Sequence, residues 1–327
     1  MSGALIFWIS EYSDCLIYNT HMKLLLVDGS ALLHRAYHAY PPLTSKTGQV
    51  VGAVYGVASM LYSALVEVAP SHVMVAWDLP KPTFRHEKYV GYKAQRPKAD
   101  AEMVEQIPIV KRVIFAMGIL QSEVEGYEAD DIIGTLSRTE IDGEVVILTG
   151  DQDTMQLVDK HVSILTPPKG KLPAKMFGVA EVVEKYGVTP GQIVDYKALI
   201  GDVSDNIPGV AGVGPTTASK LLQQFGTLDA IFEALNSKSE ILNPKLREKL
   251  LAGRDSAFLS QDLSRIVTDM PLTIALNEME YVDVKNELLI TTLEDLGFKS
   301  LVRRIWGSDS EQLSGNRKQD TNQMGLF

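Results

Sequence analysis

Seven carboxylates directly follow apolar runs or begin a helical pattern. They are Asp28, Asp78, Glu128, Asp130, Asp131, Asp151 and Asp153. Three of the apolar runs (LLLV, VMVAW and VVILT) lead into these acids, and the stretch GYEADDIIGTL places three of them within four residues. Unpaired like charges at such short spacing are strongly unfavourable. The sequence therefore predicts that a cation lies among these side chains.

The identity of that cation follows from the residues around the acids. Each acid alone has a simpler explanation as a turn former or as the N-cap of the next helix. The segments that carry the acids contain no neighbouring Arg or Lys, however, and all-oxygen ligands suit Mg²⁺ or Mn²⁺. Two such ions ~4 Å apart can activate a water and stabilise the leaving oxygen of a phosphodiester. The acids therefore predict metal-dependent phosphodiester chemistry.

A basic segment spans residues 81–98 (KPTFRHEKYVGYKAQRPK), in which six Lys or Arg face a single Glu. The aromatic residues Phe84, Tyr89 and Tyr92 are interleaved with the cations. One explanation is a solvated basic loop. The interleaving favours another, in which the segment contacts the backbone of a single strand and stacks on its bases.

A glycine-rich turn stands in residues 209–226 (GVAGVGPTTASKLLQQFG), where Gly212 and Gly214 precede a helix that starts near Thr216. Glycine lets a backbone approach closely, and the free N–H groups of a helix start receive anions. Lys220 adds positive charge one turn later. The pattern is typical of a helix-hairpin-helix, which binds duplex backbone without reading sequence. The alternative is an ordinary glycine turn between packed helices.

Two further acids, Asp202 and Asp205 in GDVSDN, stand just before this turn. They could cap the turn. Their place beside the hairpin predicts that they complete the metal cluster from a second domain.

The order of apolar runs predicts the scaffold that positions these groups. Strand patterns cover residues 23–28, 72–77, 119–124, 144–151 and 162–165. Helical patterns cover residues 55–68, 101–117, 129–137 and 154–157. The alternation predicts an α/β domain with flanking helices on a mostly parallel sheet, whose site lies beyond the carboxyl ends of the strands.

Composition limits the class of protein. The 327 residues, 45% of them hydrophobic, are enough for about two domains. No run is long enough to span a membrane and the first 21 residues lack the features of a signal peptide, so we expect a cytoplasmic protein. The single cysteine, Cys15, excludes an internal disulfide. A net charge of −10 argues against a nucleic-acid partner, but the basic segment argues for one.

Five motifs together carry a resemblance to a known family. They are LLVDGSALLHRAYHA, TFRHEKYVGYKAQR, GYEADDIIGTL, LTGDQD and GDVSDNIPGVAGVGPTTASKLL. In this order they resemble the flap endonuclease family, in particular the 5′ nuclease domains of bacterial DNA polymerase I, from about residue 22 to residue 307. The resemblance implies a metal-dependent 5′–3′ exonuclease and flap endonuclease that leaves a 5′-phosphate and a 3′-hydroxyl. It also implies roles in RNA primer removal during Okazaki fragment processing and in DNA repair.

The resemblance implies a role for each matching residue. The metal-binding positions would be Asp28, Asp78, Glu128, Asp130, Asp151, Asp153 and Asp202, with Asp131 and Asp205 as additional acids of the bacterial branch. Catalytic cations of a helical arch around residues 80–100 would be Arg85 and Lys93, with Arg96 and Lys98 as further DNA contacts. The hairpin of relatives also binds potassium through backbone carbonyls, here those of Val210 and Val213.

The resemblance divides the chain into four expected regions. These are an N-terminal extension (1–21), an α/β nuclease domain (22–188), an all-α helix-hairpin-helix domain (189–306) and a polar, disordered tail (307–327). Because the chain stops at Phe327, we expect a stand-alone version without proofreading or polymerase modules, and a monomer.

The last residues of the tail, QMGLF, resemble the peptide with which bacterial replication proteins bind the sliding clamp. The anchors would be Gln323, Met324, Leu326 and Phe327. Tethering through a flexible tail would raise the effective concentration of the enzyme at a nick. The alternative is chance, since five residues under loose constraints are easily matched.

Other functions fit part of this pattern. A ribonuclease of the related acidic α/β type would share the acids but would usually lack the hairpin. A non-catalytic adaptor could hold branched DNA through the hairpin while the acids bind structural metal. A phosphatase fits least, because no nucleophilic motif stands at a strand end apart from the Asp-x-Asp at 151–153.

Overall fold

A computed structural model describes residues 21–170, 172–236 and 243–307 of the chain. Its strands are β1 (Met22–Asp28), β2 (His72–Ala76), β3 (Leu120–Ser122), β4 (Gly143–Leu148), β5 (Val162–Thr166) and β6 (Lys175–Phe177). They form one sheet in the order β3-β2-β1-β4-β5-β6, in which only the β5–β6 pair is antiparallel. The predicted α/β class with a mostly parallel sheet is confirmed. The short strand β6 was not predicted.

Strand β1 lies at the centre of the sheet, with β2 on one side and β4 on the other. Its residues Leu24–Val27 are fully buried. Helices cover both faces of the sheet, and this explains why the apolar run is continuous rather than alternating. In the parallel register Asp28 lies opposite Ala76 of β2, and Val27 opposite Leu148 of β4. The acids that follow these strands therefore leave the sheet at the same edge.

The helices of the described residues have the following bounds. They are α1 (Gly29–Ala39), α2 (Gly52–Val68), α3 (Phe84–Lys88), α4 (Ala101–Ala116), α5 (Ala129–Leu136), α6 (Val179–Tyr186), α7 (Ile193–Ile200), α8 (Pro215–Phe225), α9 (Leu228–Asn236), α10 (Pro244–Ala252), α11 (Arg254–Ser264), α12 (Glu287–Asp295) and α13 (Lys299–Trp306). Helix α1 was not predicted, and the predicted helix at 154–157 is a 3₁₀ helix at Asp153–Leu157.

Two hydrophobic cores lie on opposite faces of the sheet. Helices α1, α2, α4, α12 and α13 share one core, while α5 and the helices α6–α11 share the other. Helices α12 and α13 fall inside the predicted helical domain, yet they pack on the α/β layer. The last two described helices therefore return to the first domain.

The segment predicted as a helical arch contains little helix. Only α3 is helical between residues 80 and 100, and turns follow it. Lys93 has a left-handed backbone, with φ 54°. The Lys93 N–H donates to the Asp205 carbonyl at 2.9 Å, and the Asn206 side chain donates to the Gly91 carbonyl at 2.7 Å. The basic segment is thus fixed to the loop that precedes the hairpin.

Candidate active site

A cleft of about 1540 Å³ opens at the carboxyl edge of the sheet. Seven of the nine predicted metal-binding acids line it: Asp28, Asp78, Glu128, Asp130, Asp151, Asp153 and Asp202. The basic residues Lys93, Arg96 and Lys98 also line it, as does Lys197, which sequence reasoning missed. Asp131 and Asp205 are not among the lining residues.

Asp28 lies at the base of the cleft. One of its carboxylate oxygens caps α1 by accepting the Ala31 N–H at 2.8 Å, and the other accepts the Thr149 hydroxyl at 2.9 Å. The N-cap explanation of this residue therefore holds together with its place in the cleft. Burial, followed by the charge of Asp78 and then that of Asp151, raises the pKa of Asp28 to about 7.

Asp78 and Asp130 both lie at the start of α5. The Ala129 N–H donates to Asp78 at 2.8 Å, so Asp78 holds the first turn of that helix. The next residue, Asp130, has a buried Oδ1 atom with no hydrogen-bond partner. Burial raises the pKa of Asp130 well above its ordinary value, although Arg85 opposes the rise. A buried carboxylate oxygen without a partner is costly unless a cation is supplied.

The acids after β4 engage a lysine from the second half of the chain. Lys197 on α7 forms ion pairs with both Asp153 and Asp202. Burial and then the charge of Asp151 raise the pKa of Asp153 to about 7, in spite of Lys197. The prediction that no basic residue neighbours the acids is wrong here, because the fold brings Lys197 across from another segment. The sequence offered one sign of this pairing, because Lys197 stands five residues before Asp202.

Glu128 binds residues of the basic segment. Its Oε1 atom accepts the Lys93 ammonium at 2.7 Å, and its Oε2 atom accepts the Tyr92 hydroxyl at 3.0 Å and Arg85 at 3.3 Å. Tyr92 is only 3% exposed, so it is not the stacking platform that the sequence suggested. Burial, together with the charges of Glu128 and Asp205, raises the pKa of the Tyr92 hydroxyl. Tyr92 therefore stays a neutral hydrogen-bond donor to these acids.

Arg85 and Asp131 form a buried pair away from the cleft surface. Arg85 is 1% exposed and Asp131 is fully buried. Two guanidinium nitrogens bond the two Asp131 oxygens at 2.7 Å each, in the bidentate geometry that suits arginine. Arg85 also donates to the carbonyls of Leu263 and Arg265, at 3.1 and 2.8 Å. Arg85 and Asp131, predicted as a catalytic cation and a metal ligand, therefore bind each other in the interior and do not line the cleft.

Asp205 is the other predicted metal ligand that lies outside the cleft lining. Its carboxylate accepts the Arg96 guanidinium and the Tyr92 hydroxyl, and Lys93 lies 4.0 Å away. Arg96 also donates to the Ser204 carbonyl at 3.3 Å. Asp205 therefore anchors the basic segment, whereas Lys98 is exposed at the cleft rim.

The charge balance of the cleft fits a divalent cation. The pKa values of Asp28 and Asp153 are raised to about 7, and burial also raises the pKa of Asp130 well above its ordinary value. Within the described ranges, no three acids are already gathered as a metal-binding group. Lys197 and Lys93 occupy several of the oxygens instead. Hard oxygen donors with surplus negative charge are the donor set that Mg²⁺ and Mn²⁺ take.

The predicted hairpin joins α7 to α8. Gly214 is the N-cap of α8, and Thr216 and Lys220 are both exposed on its first two turns. Gly212 has φ +75°, and its carbonyl accepts the Lys249 ammonium of α10 at 3.3 Å. The Val210 carbonyl accepts the Val213 N–H at 3.0 Å. Lys249 is a second basic residue at this turn that the sequence did not reveal, because it lies 37 positions from Gly212.

Family models describe both halves of the chain. Residues 23–187 match the 5′-3′ exonuclease N-terminal resolvase-like domain, and residues 188–287 match the 5′-3′ exonuclease C-terminal SAM fold. DNA polymerase I of Bacillus subtilis is 42% identical over 292 residues, which cover 89% of this chain and 33% of that protein. DNA polymerase I of Rhizobium leguminosarum is 39% identical over 312 residues, covering 91% and 30%. The chain thus spans about a third of these relatives.

Solved structures share the fold at low sequence identity. The T5 D15 protein co-crystallised with metal ions aligns with a TM-score of 0.61 at 18% identity, covering 86% of this chain and 96% of that one. The catalytic core of Rad2 in complex with a DNA substrate aligns with a TM-score of 0.57 at 16% identity, covering 88% and 92%. Among the described residues, we find no helix with both the length and the apolar character needed to cross a bilayer.

Proposed function

Because this chain belongs to the 5′–3′ exonuclease family, we propose that it hydrolyses DNA phosphodiesters near 5′ ends and 5′-flap junctions, leaving a 5′-phosphate and a 3′-hydroxyl. The observation that supports this most is the cleft with seven carboxylates, in which an oxygen of Asp130 lacks a partner. Pockets that bind small molecules are lined mainly by hydrophobic side chains and contain only a few polar groups. This cleft instead suits a charged polymer with a divalent metal.

The acids of the cleft would hold two Mg²⁺ or Mn²⁺ ions. Asp28 lies close enough to Asp78 and Asp151 for their charges to raise its pKa, and Lys197 bridges Asp153 and Asp202. When bound, such a pair supplies an activated water and neutralises the leaving oxygen. The carboxylates themselves must hold their oxygens in fixed positions where the metal ions can reach them. Thr149 and the helix-start N–H groups orient Asp28 and Asp78 for this purpose.

The basic segment would receive the scissile phosphate. Lys93 and Arg96 line the cleft and are held by Glu128 and Asp205. A phosphate that enters the cleft offers these cations a second anionic partner, so they can steer it toward the acids and stabilise charge in the transition state. Arg85 would act only through position, since it fixes α5 to the 263–267 loop.

The hairpin would hold the duplex part of the substrate. The first turn of α8 carries backbone N–H groups and the positive end of the helix dipole, near Gly214 and Thr216. Lys220 adds a side-chain contact for phosphate. Potassium binding through the Val210 and Val213 carbonyls belongs to this proposal as well.

The biological setting is inferred from the family and its relatives. We propose roles in removing RNA primers from Okazaki fragments and in DNA repair, with the chain acting as a monomer. Recruitment by a sliding clamp would use Gln323, Met324, Leu326 and Phe327, which lie outside the described residues. A fluorescence-anisotropy titration of a 308–327 peptide with the clamp should saturate, and a peptide with Leu326→Ala and Phe327→Ala should not.

Cleavage of a 5′-labelled flap duplex in Mg²⁺ tests the proposed function. Products sized on a denaturing gel should map to the junction or one nucleotide from it, and EDTA or Asp151→Asn should abolish them. An RNA flap on the same duplex tests primer removal. Tight binding without any product would reject the nuclease in favour of a DNA-binding adaptor.

A further inference from the structure

Three lysines lie together on the β5–β6 hairpin and on α6. The ammonium groups of Lys175 and Lys185 both lie over the Phe177 ring, 4.8 and 5.1 Å from its centroid. Lys185 also lies 4.9 Å from the centroid of Tyr186. Lys169 is fixed on the hairpin loop, where its backbone bonds Leu172 in both directions at 3.0 Å. These residues, Lys169, Lys175 and Lys185, are called the lysine track below.

The lysine track is a positive surface whose ammonium groups form no close ion pairs among the described residues. Partial burial, followed by the charges of Lys175 and Lys169, lowers the pKa of Lys185. None of the three lysines forms an ion pair with a carboxylate in the described part of the chain. Glu181 is near Lys175, but its carboxylate accepts the Gly178 N–H at 2.9 Å. In a chain of net charge −10, a cluster of lysines without a carboxylate partner favours an anionic ligand.

The lysine track joins the two parts of the candidate DNA site. At one end, residues 168–170 line the cleft. At the other end, the Tyr186 carbonyl accepts the Ser219 hydroxyl of α8 at 2.8 Å, and the Gly187 carbonyl accepts the Gln223 amide at 2.6 Å. The residues that directly follow Lys185 therefore pack against α8, and Ser219 in this contact is the neighbour of Lys220 in the chain.

We propose that Lys169, Lys175 and Lys185 bind the phosphodiester backbone of duplex DNA between the cleft and α8. The inference rests on the proposed function and adds a third contact region to it. A duplex held at both the cleft and α8 must present phosphates to the surface between them. Flexible ammonium groups contact phosphates as point charges, so the track would fix register without reading sequence. The Phe177 ring holds two of these cations in place through cation–π contact.

The salt dependence of DNA binding tests this inference. Binding of a fluorescent 5′-flap duplex is measured by anisotropy in Ca²⁺ across a series of KCl concentrations, with the probe checked for cleavage on a gel. Each phosphate contact contributes about 0.9 to the slope of log K against log salt. Lys169→Gln, Lys175→Gln and Lys185→Gln should each reduce that slope by about 1, and the triple variant by about 3.

A charge-matched control separates local contact from net charge. Lys23→Gln, Lys285→Gln and Lys299→Gln together remove the same charge at the opposite sheet edge and around α12 and α13. This control should keep the wild-type slope. Equal slopes for the two triple variants, at unchanged melting temperatures, would overturn the inference. The absence of flap cleavage by the wild-type protein would instead refute the proposed function. Failure of the lysine-track inference and failure of the proposed function are therefore distinguishable.

Discussion

Arg85 and Asp131 form a buried ion pair that joins three parts of the chain. Asp131 also accepts the Val267 N–H at 2.9 Å, while Arg85 binds the carbonyls of Leu263 and Arg265. Burying two charges is costly, and removal of one partner leaves the other unpaired in the interior. The pair therefore matters more for the arrangement of the site than for contact with substrate.

Removal of either partner should destabilise the fold. Arg85→Met and Asp131→Leu should each lower the free energy of unfolding by about 3–5 kcal/mol, because each leaves an unpaired buried charge. The double variant should lose less than the sum of the two single changes. Urea denaturation with linear extrapolation measures all three values.

The surface pair of Lys88 with Asp262 supplies the control. Both side chains are at least half exposed, at 50% and 59%. Lys88→Met should therefore change stability by less than about 1 kcal/mol. Strict additivity of the Arg85 and Asp131 variants would refute their role as a coupled pair.

The raised pKa values of Asp28 and Asp153 predict how pH affects the metal-free protein. Both values, about 7, lie above the 3.8 of an unperturbed carboxyl. The protonated Asp28 and Asp153 therefore make their whole contribution to the free energy of unfolding below about pH 4, and this contribution is lost as the pH rises through about 7. A divalent cation neutralises the ionised acids and should oppose this loss. The rise in melting temperature on adding Mg²⁺ should be larger at about pH 8 than at about pH 5.

Thermal denaturation in EDTA and in Mg²⁺ over this pH range measures the effect. Asp28→Asn should weaken the pH dependence of the metal-free protein, since one titrating group is gone. A Mg²⁺-induced rise that is the same at both pH values would show that these acids do not govern metal binding.

At the scale of the elements, the hairpin depends on two glycines for different reasons. Gly209 has φ +62°, and a Cβ atom there would lie 2.3 Å from the Gly201 nitrogen. Gly214 has an ordinary φ of −106°, and no atom lies within 4 Å of the position that its Cβ would take. The backbone turn at residue 209 therefore favours glycine strongly, whereas the lack of a side chain at Gly214 leaves open space above the start of α8.

Alanine substitutions should separate these two requirements. Gly209→Ala should lower the free energy of unfolding by more than about 1 kcal/mol, because it combines backbone strain with a clash. Gly214→Ala should change stability by no more than about 0.5 kcal/mol but weaken duplex binding, since the added methyl group faces the DNA. Urea denaturation and anisotropy on the same variants measure both effects. Equal duplex binding by Gly214→Ala and wild type would contradict the role of α8.

The sequence predicted regular elements better than it predicted contacts between them. Five strands were found from continuous apolar runs, because burial on both faces leaves a clear local pattern. Strand β6 has only three residues, which is too short to give a recognisable apolar pattern. Helix α1 was missed although Asp28, its N-cap, was singled out as an acid. The basic segment is helical only at α3, and residues 90–95 form turns in which Lys93 has a left-handed backbone.

The partners of the acids were the part that the sequence could not predict. Lys197 reaches Asp153 from 44 positions away, and Arg85 reaches Arg265 from 180 positions away. Such pairs depend on how the helices pack, so they cannot be predicted from the local sequence around either residue. The acids themselves were predictable, because the carboxyl ends of parallel strands converge in any such sheet.

At the scale of the whole molecule, the sheet carries one hydrophobic core on each face and the cleft at its carboxyl edge. Helices α6–α11 pack on one face and α12 and α13 on the other. The loop before the hairpin bonds the basic segment through Asp205 and Asn206. These contacts fix Lys93 and Arg96 to the loop that leads into α8, which is the helix that we propose binds duplex DNA.

The measurement that tests this account most directly is the single-turnover rate of 5′-flap cleavage in Mg²⁺. Asp130→Asn, which alters the acid with a partnerless oxygen in the cleft, should slow cleavage by about 100-fold or more. Asp205→Asn, which alters an acid outside the cleft lining, should slow it by less than about 10-fold. No cleavage by the wild-type protein, or wild-type rates in Asp130→Asn, would contradict the assignment of this cleft as a metal-dependent nuclease site.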